Sequence, residues 1–183
     1  MIIAKDKKAS NIIEYILYMW QIEDLLRSYN FDFDKINEQI IAQFEVDKPI
    51  KEEIQVWYEG LIEQMKSEKL QQKGHLQFIK NTINDLNDLH LYLIQKKNTE
   101  YLQYYSWAKT HLDELHKLSK QEIQNEIESG LNGLYGYLIL KLQKRKVTDE
   151  TQKSIESISK MMAFLNQTYF KIEKGEMELT PNL

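Results

Sequence analysis

Apolar residues recur at helical spacing along almost the whole chain, from Ile12 to Ile172. Recurrence at steps of three and four residues is typical of amphipathic helices. Only two prolines and six glycines interrupt the 183 residues, and the breaks between apolar runs are short. The pattern therefore predicts an all-α protein, an irregular antiparallel bundle of six or seven helices joined by tight turns.

The first predicted helix opens at Ser10 or Asn11, where Asn11 and Glu14 have the spacing of a capping box, and residues 1–9 are expected to form a short lead. Apolar side chains cover much more than one stripe of this helix, and such a helix is buried on several sides. We therefore place it at the centre of the bundle.

The end of the third helix has two interpretations. Pro49 suits the first helical position of that helix. In the first interpretation, which we favour, Ser67 caps a fourth helix that runs to Lys97 with Gly74 inside it. In the second, Gly74 is the left-handed residue that ends the third helix. Beyond this point, a very short turn at residues 98–99 makes the fourth and fifth helices antiparallel neighbours.

The sixth helix carries three glycines at spacings of three, Gly130, Gly133 and Gly136. Each costs roughly 0.8 to 1 kcal/mol relative to alanine inside a helix. We expect Gly130 and Gly133 to let a neighbouring helix approach the backbone closely. The alternative is a break in the helix at residues 129–130.

The remaining helix boundaries follow from capping signals. Ser119 and Glu122 form a capping box that predicts the start of the sixth helix. Thr148 or Asp149 opens the last helix, and Gly175 ends it before a tail at residues 176–183.

Composition favours one domain over residues 1–183 and excludes several classes of protein. The formal charge of −4 argues against a nucleic-acid partner, which normally meets a strongly basic face. The chain has no cysteine, which excludes thiolate chemistry and fits a reducing compartment. No apolar run approaches the ~20 residues of a membrane span, so we expect a cytoplasmic protein without a membrane partner.

A metal site is not expected. Asp113 and His116 have the acid-x-x-His spacing of di-iron bundles, but such sites need a second motif of this kind. The nearest one ends at His90 and has Asn87 in the acidic position. Asp113 and His116 are therefore only weak candidates for metal ligands, and no cofactor is predicted.

Polar residues converge where the fourth and fifth helices fold back on each other. Counting outward from the turn sets His90, Asp88 and Asp85 opposite residues 105–111, which include His111. A core histidine hydrogen-bonded to a tyrosine or carboxylate is the favoured interpretation of His90. The other interpretation is a ligand pocket, because convergent polar groups among aromatic rings are typical of one.

A second candidate surface runs along the fifth helix. If Tyr101 and Tyr105 face the core, an adjacent face carries residues at steps of three and four: Tyr104, Trp107, His111 and Glu114. Aromatic side chains with polar tips are enriched at protein interfaces. The stripe predicts a partner surface, unless two buried faces simply make this a central helix.

Five segments carry a family resemblance: IAK at 3–5, NIIEYILYMWQIED at 11–24, GHL at 74–76, LH at 89–90 and GLYGY at 133–137. Together they resemble an uncharacterised all-helical bacterial family, found mainly in Bacteroidetes and filed as a domain of unknown function. The resemblance covers most of the chain. It implies a cytoplasmic helical protein, and it supplies no activity, ligand or catalytic residue.

Two functions remain in view. The leading hypothesis is a non-catalytic interaction or scaffolding protein that associates with a protein partner or with itself as a homo-oligomer. The alternative is a small-ligand or metal-binding enzyme with its site between the fourth and fifth helices. No assembled reactive constellation is visible in the sequence, so the catalytic residues are unknown.

Overall fold

The structure, a computed structural model, describes residues 2–118 and 125–178, and all regular structure in these ranges is helical. They hold eight α-helices, so the prediction of six or seven is slightly low. The α-helices are α1 Ile2–Ser10, α2 Ile12–Ser28, α3 Phe33–Gln39, α4 Lys48–Ser67, α5 Gln77–Gln95, α6 Thr99–Leu118, α7 Glu126–Leu142 and α8 Asp149–Glu173, with a 3₁₀ helix at Ile41–Gln43.

The additional helix is α1, in the segment that was expected to be a lead. Its Ala4 is buried, and α1 packs against α2, so tertiary contact stabilises a helix too short to be stable alone. Asn11 then caps α2, accepting a 3.0 Å hydrogen bond from the amide of Glu14. The N-cap predicted at Asn11 is confirmed, but the reciprocal bond of a capping box is replaced, because the Asn11 amide donates to the Lys7 carbonyl at 2.7 Å.

The chain divides into two compact units, Met1–Asn81 and Thr82–Leu183, with the division inside α5. In the first unit, α2 buries side chains around most of its circumference, among them Ile16, Trp20 and Leu26. The expectation that this helix is buried on several sides is confirmed. The assignment of one domain to residues 1–183 stays a prediction.

Four of the helices, α2, α4, α5 and α7, end at a residue in the left-handed conformation that is not glycine. Asn30, Lys69, Lys97 and Lys144 have φ between 51° and 57°. After each of them the next amide bonds back to a carbonyl five residues earlier, as Leu70 does to Met65 at 2.9 Å. This is the Schellman arrangement, in which glycine is the usual left-handed residue.

The predicted helix from Ser67 to Lys97 is therefore wrong, because α4 ends at Ser67 through Lys69, and α5 starts only at Gln77. Gly74 does have a left-handed φ of 91°. It lies in the connection between the two helices, however, and does not end either of them.

Two carboxylates from elsewhere in the first unit hold the start of α5. Glu23 of α2 accepts the amide of Leu76 at 2.8 Å, and Glu68 accepts the amide of Gln77 at 2.7 Å. Helix N-termini carry unsatisfied amides and partial positive charge, which carboxylates complement. The cap of α5 is thus supplied by tertiary structure.

In the second unit, α6 packs against both α7 and α8. A Cβ placed on Gly130 would overlap the end of the Met162 side chain on α8, and one on Gly133 would lie 2.6 Å from Leu115 Cδ1 on α6. The close approach expected at both glycines is confirmed. The alternative break at residues 129–130 is wrong, since α7 is continuous from Glu126 to Leu142.

The beginning of α7 differs from the expected one. Asn125 is its N-cap and accepts the amide of Glu128 at 2.8 Å, so the helix starts after the predicted capping box. Ser119 and Glu122 lie outside the described residues. At the other end of the unit, Thr148 caps α8 and Gly175 (φ 71°) follows its last turn, as predicted.

Candidate functional site

A polar cluster forms around His90, which is only 2% exposed. The Tyr101 hydroxyl lies 2.5 Å from His90 Nδ1, and His90 Nε2 lies 3.4 Å from Glu126 Oε2. A histidine ring nitrogen donates or accepts according to the tautomer; with the proton on Nε2, the nitrogen that faces the carboxylate, Tyr101 is the donor to Nδ1. The prediction that His90 bonds to a tyrosine in the core is confirmed.

Lysine and carboxylate groups complete this cluster. Lys109 Nζ lies 2.9 Å from Glu126 Oε1 and also pairs with Asp113 on the next turn of α6. The neighbouring His90 and Lys109 lower the pKa of Glu126 to about 2, although partial burial opposes the shift. Hydrogen bonds to Asp113 and Glu126 raise the pKa of Lys109.

Burial dominates at the two phenols. It raises the pKa of Tyr101, and burial together with the adjacent Glu126 carboxylate raises the pKa of Tyr105 to about 12. Both phenols therefore stay protonated at neutral pH. The polar groups of this cluster mainly bind one another, with one exception: the buried Oε2 of Glu126 accepts no hydrogen bond of ordinary geometry from the described residues. Its 3.4 Å contact with His90 is an electrostatic one.

The aromatic stripe of α6 lies on the surface, as its spacing suggested. Trp107 is 49% exposed and meets Tyr104 edge to face, and Tyr104 in turn packs against Phe164 of α8. Further along the stripe, His111 Nδ1 lies 3.0 Å from the Ser154 hydroxyl. The stripe extends beyond the predicted residues to Glu100 and Leu118, which continue its steps of four.

Two shallow depressions lie along this stripe, where α6 meets α8. One, of about 160 Å³, is bordered by Glu100, Tyr104, Lys160 and Phe164. The other, of about 200 Å³, is bordered by His111, Glu114, Leu118, Glu150 and Ser154 among others. We call the two depressions, with Trp107 between them on α6, the α6–α8 groove.

A family model described as a domain of unknown function (DUF4924) matches residues 1–176. The chain belongs to the DUF4924 family. No curated protein and no solved structure matches it. Within the described part of this DUF4924 protein, no helix is long and apolar enough to cross a membrane.

The structure separates the two histidines that were expected in one region of the DUF4924 chain. His90 belongs to the buried cluster, whereas His111 belongs to the groove. Asp85 and Asp88 are exposed on α5. Asp85 contributes, after burial and Glu173, to the raised pKa of Tyr169, and neither aspartate has a described contact with His90.

The two weak metal candidates also have separate partners. Asp113 pairs with Lys109, and His116 Nδ1 lies 3.3 Å from the Ser129 hydroxyl. Among residues 2–118 and 125–178, no three His, Asp or Glu side chains come together as a group that could hold a metal ion.

Two important side chains were missed by sequence reasoning. Glu126 lies far along the chain from His90 and meets it only through the packing of α7, so no spacing could reveal it. Glu23 is fully buried in α2, where its Oε2 lies 2.6 Å from His75 Nδ1 while the His75 ring stacks on Trp20 at 4.3 Å. The signal for Glu23 was available: an acidic residue among the apolar positions of a helix buried on several sides.

Proposed function

We propose that this chain is a non-catalytic interaction protein that binds an amphipathic helix of a partner protein in the α6–α8 groove. The observation that carries the proposal is Trp107, half exposed between two depressions on one helical stripe. Tryptophan is among the residues most enriched at the energetic centres of protein interfaces.

The length of the stripe along α6 suits a helix. From Glu100 to Leu118 the stripe covers 18 residues of rise at 1.5 Å, about 27 Å, which is the length of a helix of about 18 residues. Helices that dock in grooves present apolar anchors at steps of three and four residues. The aromatic and apolar residues of the stripe repeat at the same steps.

Charge at the two ends of the groove specifies the partner further. The end near Leu118 carries Glu114 and Glu150, whereas the other end carries Glu100 beside Lys160. A partner helix with Lys or Arg over the first end complements Glu114 and Glu150. Such charges chiefly set orientation and association rate.

The polar groups in the groove are arranged for binding more than for catalysis. Ser154 and Glu114 both approach the same nitrogen of His111, Nδ1, at 3.0 and 3.7 Å. A catalytic serine triad needs the serine and the carboxylate on opposite ring nitrogens. The alternative, a ligand or metal enzyme between α5 and α6, receives less support, because the groups around His90 are mostly bound to one another.

Selection of displayed helices against the intact protein tests the groove. From a library of 18-residue amphipathic helices, we expect binders with a basic end. Trp107→Ala should weaken their binding about 30-fold, the equivalent of ~2 kcal/mol. Val56→Ala, on an exposed face of α4, is the matched control and should have no effect. Binders without a basic end, or binders unaffected by Trp107→Ala, would contradict the proposal.

We further propose that the protein acts in the bacterial cytoplasm, as in the Bacteroidetes family that the sequence resembles. The absence of cysteine from all 183 residues supports a reducing compartment. Fractionation of the native host would test this, and recovery from the periplasm or membrane fraction would contradict it.

A further inference from the structure

The His111 ring borders one depression of the α6–α8 groove. Its Nδ1 lies 3.0 Å from the Ser154 hydroxyl and 3.7 Å from Glu114 Oε2. The Ser154 hydroxyl also lies 3.0 Å from the Glu150 carbonyl, to which it donates its single proton. With that proton committed, Ser154 accepts a hydrogen bond from Nδ1, and Nε2 is the ring nitrogen that can take up a further proton.

Uptake of a proton at Nε2 changes the charge of the groove and leaves the bond to Ser154 in place. The His111 side chain is 31% exposed, so a proton can reach it from solvent. Histidine is the side chain whose charge changes between pH 5 and 8 in ordinary surroundings, whereas surface carboxylates stay ionised there. A fall in pH across this range therefore adds one positive charge at a defined place in the groove.

The other charged groups that border this depression are carboxylates. They are Glu114 of α6 and Glu150 of α8; α7 contributes no described residue to the border, and no Lys or Arg of the described residues lies on it. With His111 neutral, this end of the groove carries two negative charges. With His111 protonated, the net charge is halved, and the ring attracts the Glu114 carboxylate that a basic partner would otherwise pair with.

From this arrangement we infer that His111 makes binding in the groove pH-dependent: a helix with a basic end binds near pH 8 and is released as the pH falls towards 5.5. The inference rests on the function proposed above and names the regulation of the same site. One added charge about 5 Å from a partner lysine, in the high-dielectric surroundings of a surface groove, changes affinity about five- to tenfold.

Binding of one synthetic helix to the intact protein at two pH values tests the inference. The probe is an 18-residue amphipathic helix, selected on the groove at pH 8, with two lysines at its basic end. A copy with glutamine in place of these lysines is the matched control. We expect the dissociation constant of the basic helix to rise about five- to tenfold between pH 8 and pH 5.5, and that of the control to change less than about twofold.

Variants assign the effect to one ring. His111→Gln keeps a side-chain N–H that can donate to Ser154 and carries no charge, so binding of the basic helix should stay tight at both pH values. His111→Lys carries a permanent charge and should weaken binding about five- to tenfold at pH 8. His116→Gln replaces an exposed histidine of the same helix that does not border the groove, and it should keep the wild-type pH response.

The possible failures are distinct. Binding of the basic helix that depends on Trp107 but does not change with pH would overturn the inference and leave the groove proposal standing. A pH response that persists in His111→Gln would overturn it as well, since the response would then come from another group or from unfolding. No binding of the selected helix at pH 8 would contradict the groove proposal and this inference together.

Discussion

Alanine substitutions at the glycines of α7 should change stability in opposite directions. Alanine is favoured over glycine inside a helix by 0.8 to 1.0 kcal/mol, and Gly136 has open space for the new methyl group. Gly136→Ala should therefore raise the free energy of unfolding by about 1 kcal/mol. Gly60→Ala, equally open on α4, is the control and should give a similar gain.

At Gly130 the same methyl group meets a filled core. It would overlap the Met162 side chain and lie 3.2 Å from Leu112 and 3.3 Å from Ile158, and all three side chains are buried. Overpacking of this kind costs about 1 to 3 kcal/mol, which exceeds the gain in helix propensity. We expect Gly130→Ala to lower the free energy of unfolding by about 1 kcal/mol. Gly133→Ala should fall between the other two, because the side chain it meets, Leu115, is only partly buried.

The expected difference between Gly130→Ala and Gly136→Ala is about 2 kcal/mol. For a chain of this size it corresponds to about 4 to 8 °C in melting temperature. Calorimetry at micromolar protein, with urea unfolding as a second measure, separates the variants without a contribution from association. Equal stability of the two variants would refute the packing of α7 described above. Partial recovery of Gly130→Ala by Met162→Leu would identify the clash directly.

Four further predictions follow from named contacts. Since the pKa of Glu126 is lowered from 4.5 to about 2, its ionised form should stabilise the fold above pH 4.5 by about 1 to 2 kcal/mol, allowing for solvent screening. This contribution should disappear as the pH falls from 4.5 to 2. Urea unfolding over this range should show that Glu126→Gln lacks this part of the pH-dependent loss of stability. A variant with the same pH profile as the wild type would contradict the lowered pKa of Glu126. Glu23→Gln should cost about 1 to 3 kcal/mol by weakening the buried contacts to Leu76 and His75, measured by urea unfolding, and a neutral effect would count against them. Asn98→Ala removes the side chain that accepts the Tyr101 amide at 2.8 Å and should lower the melting temperature by an amount equivalent to about 1 kcal/mol; an unchanged melt would mean that this cap is dispensable. Tyr101→Phe leaves His90 Nδ1 without its hydrogen-bond partner and should cost about 1 to 3 kcal/mol, whereas wild-type stability would show that water replaces the hydroxyl.

Much of the helical fold could be predicted because its signals are local. Asn11 and Glu14 cap α2 through residues three apart, and the turn after α5 ends one helix and caps the next within a few positions. Thr148 and Gly175 likewise identified the two ends of α8. Such features depend on residues within one or two turns, and a sequence displays them directly.

The errors arose where a distant residue, or a residue type unusual for its backbone conformation, decides the structure. The start of α5 is set by Glu23, 53 residues before Leu76, and the end of α4 is set by Lys69 in a conformation that favours glycine. The local pattern of apolar residues predicts an uninterrupted helix there, because it shows neither the contact from Glu23 nor the conformation of Lys69. α1 was missed for a related reason, since its stability comes from packing on α2.

The candidate sites show the same division. The stripe of Tyr104, Trp107, His111 and Glu114 follows from spacing on one helix, and the structure places it on the surface. The structure does not bring His90 and His111 together as expected. The turn makes α5 and α6 neighbours, but it does not determine which sides of the two helices face each other. Partners on a third helix, such as Glu126 on α7, depend on how that helix packs. Counting residues outward from the turn between α5 and α6 does not reveal this.

The distant cap of α5 also bears on the order in which the chain folds. Most helices can begin to form from local signals, but the first turn of α5 lacks its hydrogen-bond acceptors until Glu23 and Glu68 have been brought to it. Closing a loop of some fifty residues is an entropic cost that precedes the contact. We therefore expect the first turn of α5 to form after the folding transition state, with φ-values near zero at Glu23 and Leu76, while the middle of the same helix is already structured.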